Sequence, residues 1–256
     1  MSAEKGSERV LLNAGDYQCH FDVEAYLHHF YGESAVGNGL KVMLFALPIL
    51  ARRLPPPQSP RTLLDVGSGP TVYVGMCFRE AAEQIFLSDF VLENREALSR
   101  WWRREPPYFD WTPVANQIAF SEGHNQSTEE IERDTRARIA AVLPCDVHTP
   151  YVIAEPRQFD VVTSIFCLES ACTSYQQYCD AMRHLFNCLK PGGQLIFGSV
   201  IEEDRYEFGT SKFSIMHLTH ADVTTAMAAA GADINTLHTM DFDSAAAFMV
   251  NKPDTV

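Results

Sequence analysis

The chain has 256 residues, 46% hydrophobic and 21% charged, with a net charge of −13. That length supports one sizeable core, an α/β domain with an N-terminal extension, and the acidic balance argues against nonspecific contact with phosphate backbones and for small cationic or basic partners. Seven cysteines without a C-x-x-C pair and nine histidines without regular ligand spacing argue against a disulfide framework and against a metal site, and fit reduced thiols in a cytoplasmic protein.

The first nine residues are polar and charged and carry no apolar signal core. Residues 42–51 are apolar but are followed by Arg52-Arg53. Ten residues is about half a membrane span, so this run predicts a buried helix and no membrane partner. Leu54-Pro55-Pro56-Pro57-Gln58-Ser59-Pro60 stops that helix as a stiff linker, which divides the chain into an N-terminal part, 1–60, and a main domain, 61–256.

The main domain opens on Thr62-Leu63-Leu64-Asp65-Val66, a buried strand by composition, which breaks into Gly67-Ser68-Gly69-Pro70-Thr71. Two glycines let the backbone approach a ligand closely, and a helix over 71–82 would present its free N–H groups there. A second strand, 85–90, ends in Asp89, about twenty positions beyond the glycines, where such folds hold a ribose by its hydroxyls. The Lys-Ser/Thr of a phosphate loop and the third glycine of the dinucleotide fingerprint are both missing. A glycine turn with a ribose acid and no phosphate machinery points to S-adenosylmethionine.

Further along, a helix is expected over 92–104 and an insertion without strand signals over 105–140. A short third strand end at 142–147 precedes a strongly β-prone strand at 159–166 and a helix at 175–189. Lys190-Pro191-Gly192-Gly193 then turns the chain into a fifth strand, 194–200. A helix at 219–230 and closing strands at 234–240 and 245–250 complete the pattern. Alternation at this spacing requires right-handed crossovers and a mainly parallel sheet, with ligands at the carboxyl ends of the strands. The glycine turn, Asp89, Asp146 and residues 166–169 would share that edge.

Asp65-Val66-Gly67-Ser68-Gly69-Pro70-Thr71-Val72-Tyr73, Asp89-Phe90 with Asn94, Glu105-Pro106 with Phe109-Asp110-Trp111, and Leu143-Pro144-Cys145-Asp146-Val147 together resemble the nicotinamide, phenylethanolamine and indolethylamine N-methyltransferases. The likeness extends to Tyr17-x3-Phe21-x4-Tyr26-x4-Tyr31, Phe166-Cys167-Leu168-Glu169 and Lys190-Pro191-Gly192-Gly193, and so spans most of the chain. It implies a Rossmann-like class I methyltransferase: a seven-stranded, mainly parallel sheet with helices on both faces and an N-terminal helical lid, acting as a monomer. By position it implies that Gly67, Ser68, Gly69, Thr71 and Tyr73 meet the methionine half of S-adenosylmethionine, with S-adenosylhomocysteine as product. Asp89 and Asn94 would hold the ribose, Phe90 would stack on adenine, and Asp146 with the Val147 backbone would read the adenine edge. Tyr17, Tyr26, Tyr31 and Ile165 complete the implied cofactor contacts, although the three tyrosines also read as core aromatics.

For an alkylamine acceptor, protonated at neutral pH, a nearby carboxylate can both bind the ammonium and relay its proton through water. The resemblance places Glu169 and Glu203 in that catalytic role, with Phe166, Ser199, Glu202, Tyr206 and Asp241 around the substrate. Residues 202–204 also read as an ordinary solvated loop. Ser199 stands where nicotinamide-type members carry aspartate, and an unprotonated pyridine nitrogen needs no proton acceptor, so a small amine is the preferred substrate. A pyridine nitrogen, a thioether sulfur and noncatalytic cofactor binding are the alternatives. Glu105-Pro106-Pro107-Tyr108 nearly matches a motif of nucleic-acid adenine methyltransferases, but it lies far upstream of the fourth strand in an acidic chain, so no nucleic acid partner is expected.

Overall fold

A computed structural model describes residues 10–32, 41–57, 59–123 and 126–254. The polar stretch 1–9 and Gln58 of the proline linker lie outside the described residues. The N-terminal part contributes β1 (Leu11–Leu12), α1 (Tyr17–His20), α2 (Val23–Tyr31) and α3 (Lys41–Arg53). The first half of the main domain runs β2 (Thr62–Val66), α4 (Tyr73–Phe78), β3 (Gln84–Asp89), α5 (Leu92–Arg103), α6 (Thr112–Glu122), α7 (Thr128–Arg138) and β4 (Ile139–Pro144). The second half runs β5 (Phe159–Ile165), α8 (Leu168–Ala171), α9 (Tyr175–Asn187), β6 (Leu189–Val200), β7 (Arg205–Phe208), β8 (Ser211–Ser214), α10 (His220–Ala229), β9 (Asp233–Phe242) and β10 (Ala245–Asn251).

Seven strands form one sheet in the order β4-β3-β2-β5-β6-β10-β9. Every pairing from β4 to β6 is parallel, and β10 is antiparallel to both of its neighbours. The chain winds outward from β2 in both directions, so the crevice at the carboxyl ends of β2 and β5 is the switch point where ligands bind in such sheets. Period-two alternation divides the strands between two apolar layers. Leu63, Ile85, Leu87 and Val161 pack in one core with α3, α4 and α6, whereas Leu64, Phe86, Val162 and Phe197 pack in another with α9 and α10. The expected membrane-free helix is α3, whose Met43, Leu47 and Leu50 are buried in the first core. Among the described residues no helix is long and apolar enough to cross a membrane.

Several expectations shift. The helix expected at 71–82 is only α4, because Thr71 is spent in the turn, its Oγ1 donating to Ser68 O at 2.7 Å. The region read as an insertion holds α6, α7 and the start of β4. Ser127 and Glu130 form a reciprocal capping box that starts α7, a local signal that outweighs the charged composition of the helix. Lys190 to Gly193 form no separate turn: they bulge within β6, whose register against β5 jumps between the pairs Phe159–Leu189 and Val161–Gln194. A second sheet, in the order β1-β8-β7, has no counterpart in the expected elements. It arises because the hairpin β7–β8 receives residues 11 and 12 as a parallel third strand.

Candidate active site

The glycine turn after β2 is held down by β3. Gly67 N and Ser68 N both donate to Ser88 O at 2.9 Å. Gly67 has φ +73°, and a Cβ there would run into the Cys167 side chain, so both conformation and space demand glycine. Gly69, at φ +60°, would meet nothing nearer than Thr71 Cγ2 at 3.9 Å, which leaves its face open toward a ligand.

Asp89 ends β3 with both carboxylate oxygens engaged. Oδ2 accepts from Gly69 N at 2.7 Å, and Oδ1 accepts from Val91 N at 2.8 Å and from Asn94 Nδ2 at 3.0 Å. Burial raises the Asp89 pKa against these donors. Asn94 Oδ1 is buried with no partner. A buried acceptor of this kind is costly unless a donor arrives, and a ligand hydroxyl beside Asp89 would be such a donor. Asp65, under the same turn, takes Thr163 Oγ1 on its Oδ1 at 2.7 Å, and burial lifts its pKa to about 6. Two buried acids beneath one turn give a field suited to a cationic ligand.

Past β4, Asp146 Oδ1 accepts from His148 N at 2.9 Å and Val147 is buried. Above these strand ends lies the N-terminal segment. Asn13 and Asp16 cap each other's backbone and turn the chain into α1, which brings Tyr17 onto Phe213 of β8 with ring centroids 4.4 Å apart. Tyr17 and Tyr206 share a hydroxyl contact of 2.7 Å. Burial raises the pKa of Tyr26 to about 12, and its ring lies 6.0 Å from that of Tyr31. Tyr31 in turn stacks on Tyr73 at 5.7 Å.

A cavity of about 410 Å³ lies between the strand ends and this covering layer. Of the expected cofactor contacts, Tyr17, Tyr26, Tyr31, Gly67, Ser68, Gly69, Thr71, Tyr73, Asp89, Phe90, Asn94, Asp146, Val147 and Ile165 all line it, as do Phe166 and Tyr206. Phe166 reaches it from φ +56°, unusual for a bulky side chain, at the end of β5.

Five expected residues do not line the cavity. Glu169 is wholly buried behind the wall, its Oε1 accepting from Val200 N at 2.8 Å and its Oε2 without a partner. Ser199 is buried in the middle of the sheet, opposite Ala246 of β10. Glu202 and Glu203 are exposed in the loop before β7, as their charged run also allowed. Asp241 lies on the outer strand β9 and pairs with His220 Nε2 at 2.7 Å, which corrects its expected place beside the substrate. Lining residues the sequence reading missed include Gly15, Gln18, Phe21, Cys145, Cys167, His148, Ser170 and Gln177. Phe21 was already present in the tyrosine pattern, and the Asn13–Asp16 cap was a signal for the turn beside Gly15. Cys145 and Cys167 stood in the quoted motifs beside Asp146 and Phe166, and the others are brought in by tertiary structure.

A switch-point cavity with a glycine turn, a buried acid at the end of β3 and an orphaned acceptor is what an S-adenosylmethionine-dependent methyltransferase of the class I fold requires. Solved structures agree on the fold: an O-methyltransferase family protein from Burkholderia thailandensis has a TM-score of 0.58 at 11% identity, covering 97% of this chain and 65% of that one. Magnesium protoporphyrin IX methyltransferase from Synechocystis, solved with bound S-adenosylmethionine, has a TM-score of 0.56 at 11% identity, covering 96% and 100%. The chain belongs to the NNMT/PNMT/TEMT family, whose profile matches residues 9–254. It is 33% identical to nicotinamide N-methyltransferase of Caenorhabditis elegans over 82% of this chain and 80% of the relative. It is 34% identical to phenylethanolamine N-methyltransferase of Macaca mulatta, over 88% and 82%, and to indolethylamine N-methyltransferase of Oryctolagus cuniculus, over 87% and 86%.

The covering layer yields a first prediction. Tyr17→Phe keeps the ring on Phe213 but strands the Tyr206 hydroxyl, and should cost about 1 kcal/mol, a fall in Tm of roughly 2–4 °C. Thermal unfolding measures it, and an unchanged Tm would remove the phenol pair from what holds the cover down.

Proposed function

We propose that the enzyme transfers a methyl group from S-adenosylmethionine to the nitrogen of a small amine, working as a cytoplasmic monomer without nucleic acid or membrane partners. The observation that supports this reading is one cavity that joins the buried acid Asp89 to an aromatic chamber. Asp89, Asn94, Asp146 and the glycine turn would hold the cofactor, which supplies an electrophilic methyl group when bound. Residues 10–31 act as the lid, while α3 belongs to the body of the domain.

Tyr17, Phe21, Phe166 and Tyr206 form the acceptor end. Their rings exclude water and orient the nucleophile, and positioning supplies much of the rate in such a displacement. Aromatic faces also suit an amine that arrives as a cation. Burial lifts the Glu169 pKa to about 7, which poises it to take a proton near neutrality. It does not line the cavity, so the ammonium proton would reach it by relay through water past the neighbouring Ser170 and not directly. Exposed Glu203 is left outside the mechanism. Seven free cysteines fit a reducing compartment, and a net charge of −13 disfavours nucleic acid.

Transfer of labelled methyl from S-adenosylmethionine should be detected on at least one phenylethylamine or indolethylamine, with weaker transfer to nicotinamide and to small thioethers. Label appearing only on a thioether or only on a pyridine nitrogen would overturn the amine reading, and binding of S-adenosylhomocysteine without transfer to any acceptor would overturn catalysis.

A further inference from the structure

The turn proposed to read adenine is tied to two helices by histidines that no motif singled out. Residues 145–149 leave β4 as irregular backbone, shaped by their own bonds: Asp146 N donates to Val152 O at 2.9 Å, His148 N to Asp146 Oδ1 at 2.9 Å, and Thr149 Oγ1 to Asp146 O at 3.0 Å. These bonds give the turn its curve but do not fix where it sits against the helices on that face.

Two imidazoles do so. His184, half-buried on α9, has Nδ1 2.8 Å from Val147 O. His148, exposed at the cavity wall, has Nε2 3.0 Å from Ala171 O at the end of α8. A carbonyl oxygen only accepts, so each of these ring nitrogens carries a hydrogen and donates. One histidine therefore pins the Val147 peptide from behind, and the other ties the turn to the α8 segment at the acceptor end. Neutral and protonated imidazole both donate from a protonated nitrogen, so the contacts hold in either charge state.

We propose that His184 and His148 are positioning residues for the adenine half of the cofactor: they fix the turn that presents Asp146 and the Val147 backbone. This rests on the reading that Asp146 and Val147 meet adenine. Neither histidine acts in the displacement itself, so the signature is a change in cofactor affinity with the chemical step spared.

The test compares His184→Leu, which removes the donor, with His184→Asn, whose amide N–H can stand in for Nδ1–H. His148→Leu and His148→Gln form the matching pair, and Asp146→Ala is the reference. Calorimetry gives the Kd of S-adenosylhomocysteine and of adenosine, and steady-state kinetics on the labelled amine gives KM and kcat. His184→Leu should raise both Kd values and the KM for S-adenosylmethionine roughly five- to tenfold, leave kcat within about twofold, leave the KM of the amine unchanged, and be rescued by Asn. The His148 pair should raise the two Kd values roughly threefold, with rescue by Gln, because that side chain is solvated. Unchanged adenosine affinity in Asp146→Ala overturns the adenine reading and this proposal with it. A loss in Asp146→Ala with none in His184→Leu overturns the positioning role alone. So does a kcat that falls in step with Tm and is not rescued by Asn.

Discussion

Replacing Asp89 with alanine is expected to weaken S-adenosylhomocysteine binding by roughly 10²- to 10⁴-fold while the protein stays folded, since each charge-assisted hydrogen bond to a ribose hydroxyl contributes about 1.5–3 kcal/mol and two are lost. The carboxylate also organises the site. Its oxygens take Gly69 N, Val91 N and Asn94 Nδ2, so its removal frees the glycine turn and the first turn of α5 together. Asp89→Asn separates the two contributions. It keeps the shape and one acceptor oxygen but places an N–H₂ group among donors, so it should recover only part of the affinity. Calorimetric titration, with circular dichroism as the folding control, checks both variants. A loss below about tenfold in Asp89→Ala would move the ribose away from the end of β3.

The same residue shows why the cofactor half of the site was legible in the sequence. A strand that must be buried on both faces is continuous in its apolar residues, so its end is marked by the first acid or glycine. In this way 62–66 announced the glycine turn at 67–69, and 85–88 announced the candidate acid Asp89. The acceptor half lacked that logic. Glu169, Glu203 and Asp241 were placed by family position, yet one is enclosed behind the wall, one is exposed and one is paired with His220 on an outer strand. Nothing in the local sequence around Asp241 distinguishes an edge-strand ion pair from a substrate ligand, because the distinction is set by the strand order β6-β10-β9. The lid was half legible. Its tyrosines stood out by spacing, but what holds them is the hairpin β7–β8 and its pairing with residues 11 and 12, contacts about 200 residues apart that no local pattern encodes.

Glu169→Gln is expected to move stability and turnover in opposite directions. The Glu169 carboxyl is wholly enclosed, and burial raises its pKa from 4.5 to about 7 despite the Val200 N–H that favours the charged form. The unfolded chain therefore releases this proton near pH 4.5, whereas the folded protein keeps it until about pH 7. Stability falls as pH rises through that window, and above it the folded state carries the whole penalty, about 3 kcal/mol. Glutamine keeps an acceptor for Val200 N and has no proton to lose. The variant should match the wild type near pH 4.5 and be more stable by up to about 3 kcal/mol at pH 8, as denaturant unfolding at a series of pH values will measure. A gain independent of pH would show that packing, and not charge, sets the difference. Turnover on an amine should nevertheless fall, most severely above pH 7, where the wild-type carboxylate is free to accept a proton, and the gap should narrow below pH 7, where Glu169 is itself protonated. A variant that is both more stable above pH 7 and fully active across the range would remove Glu169 from the chemistry. A more stable but slower variant would show that the chain retains a destabilising buried acid for its function.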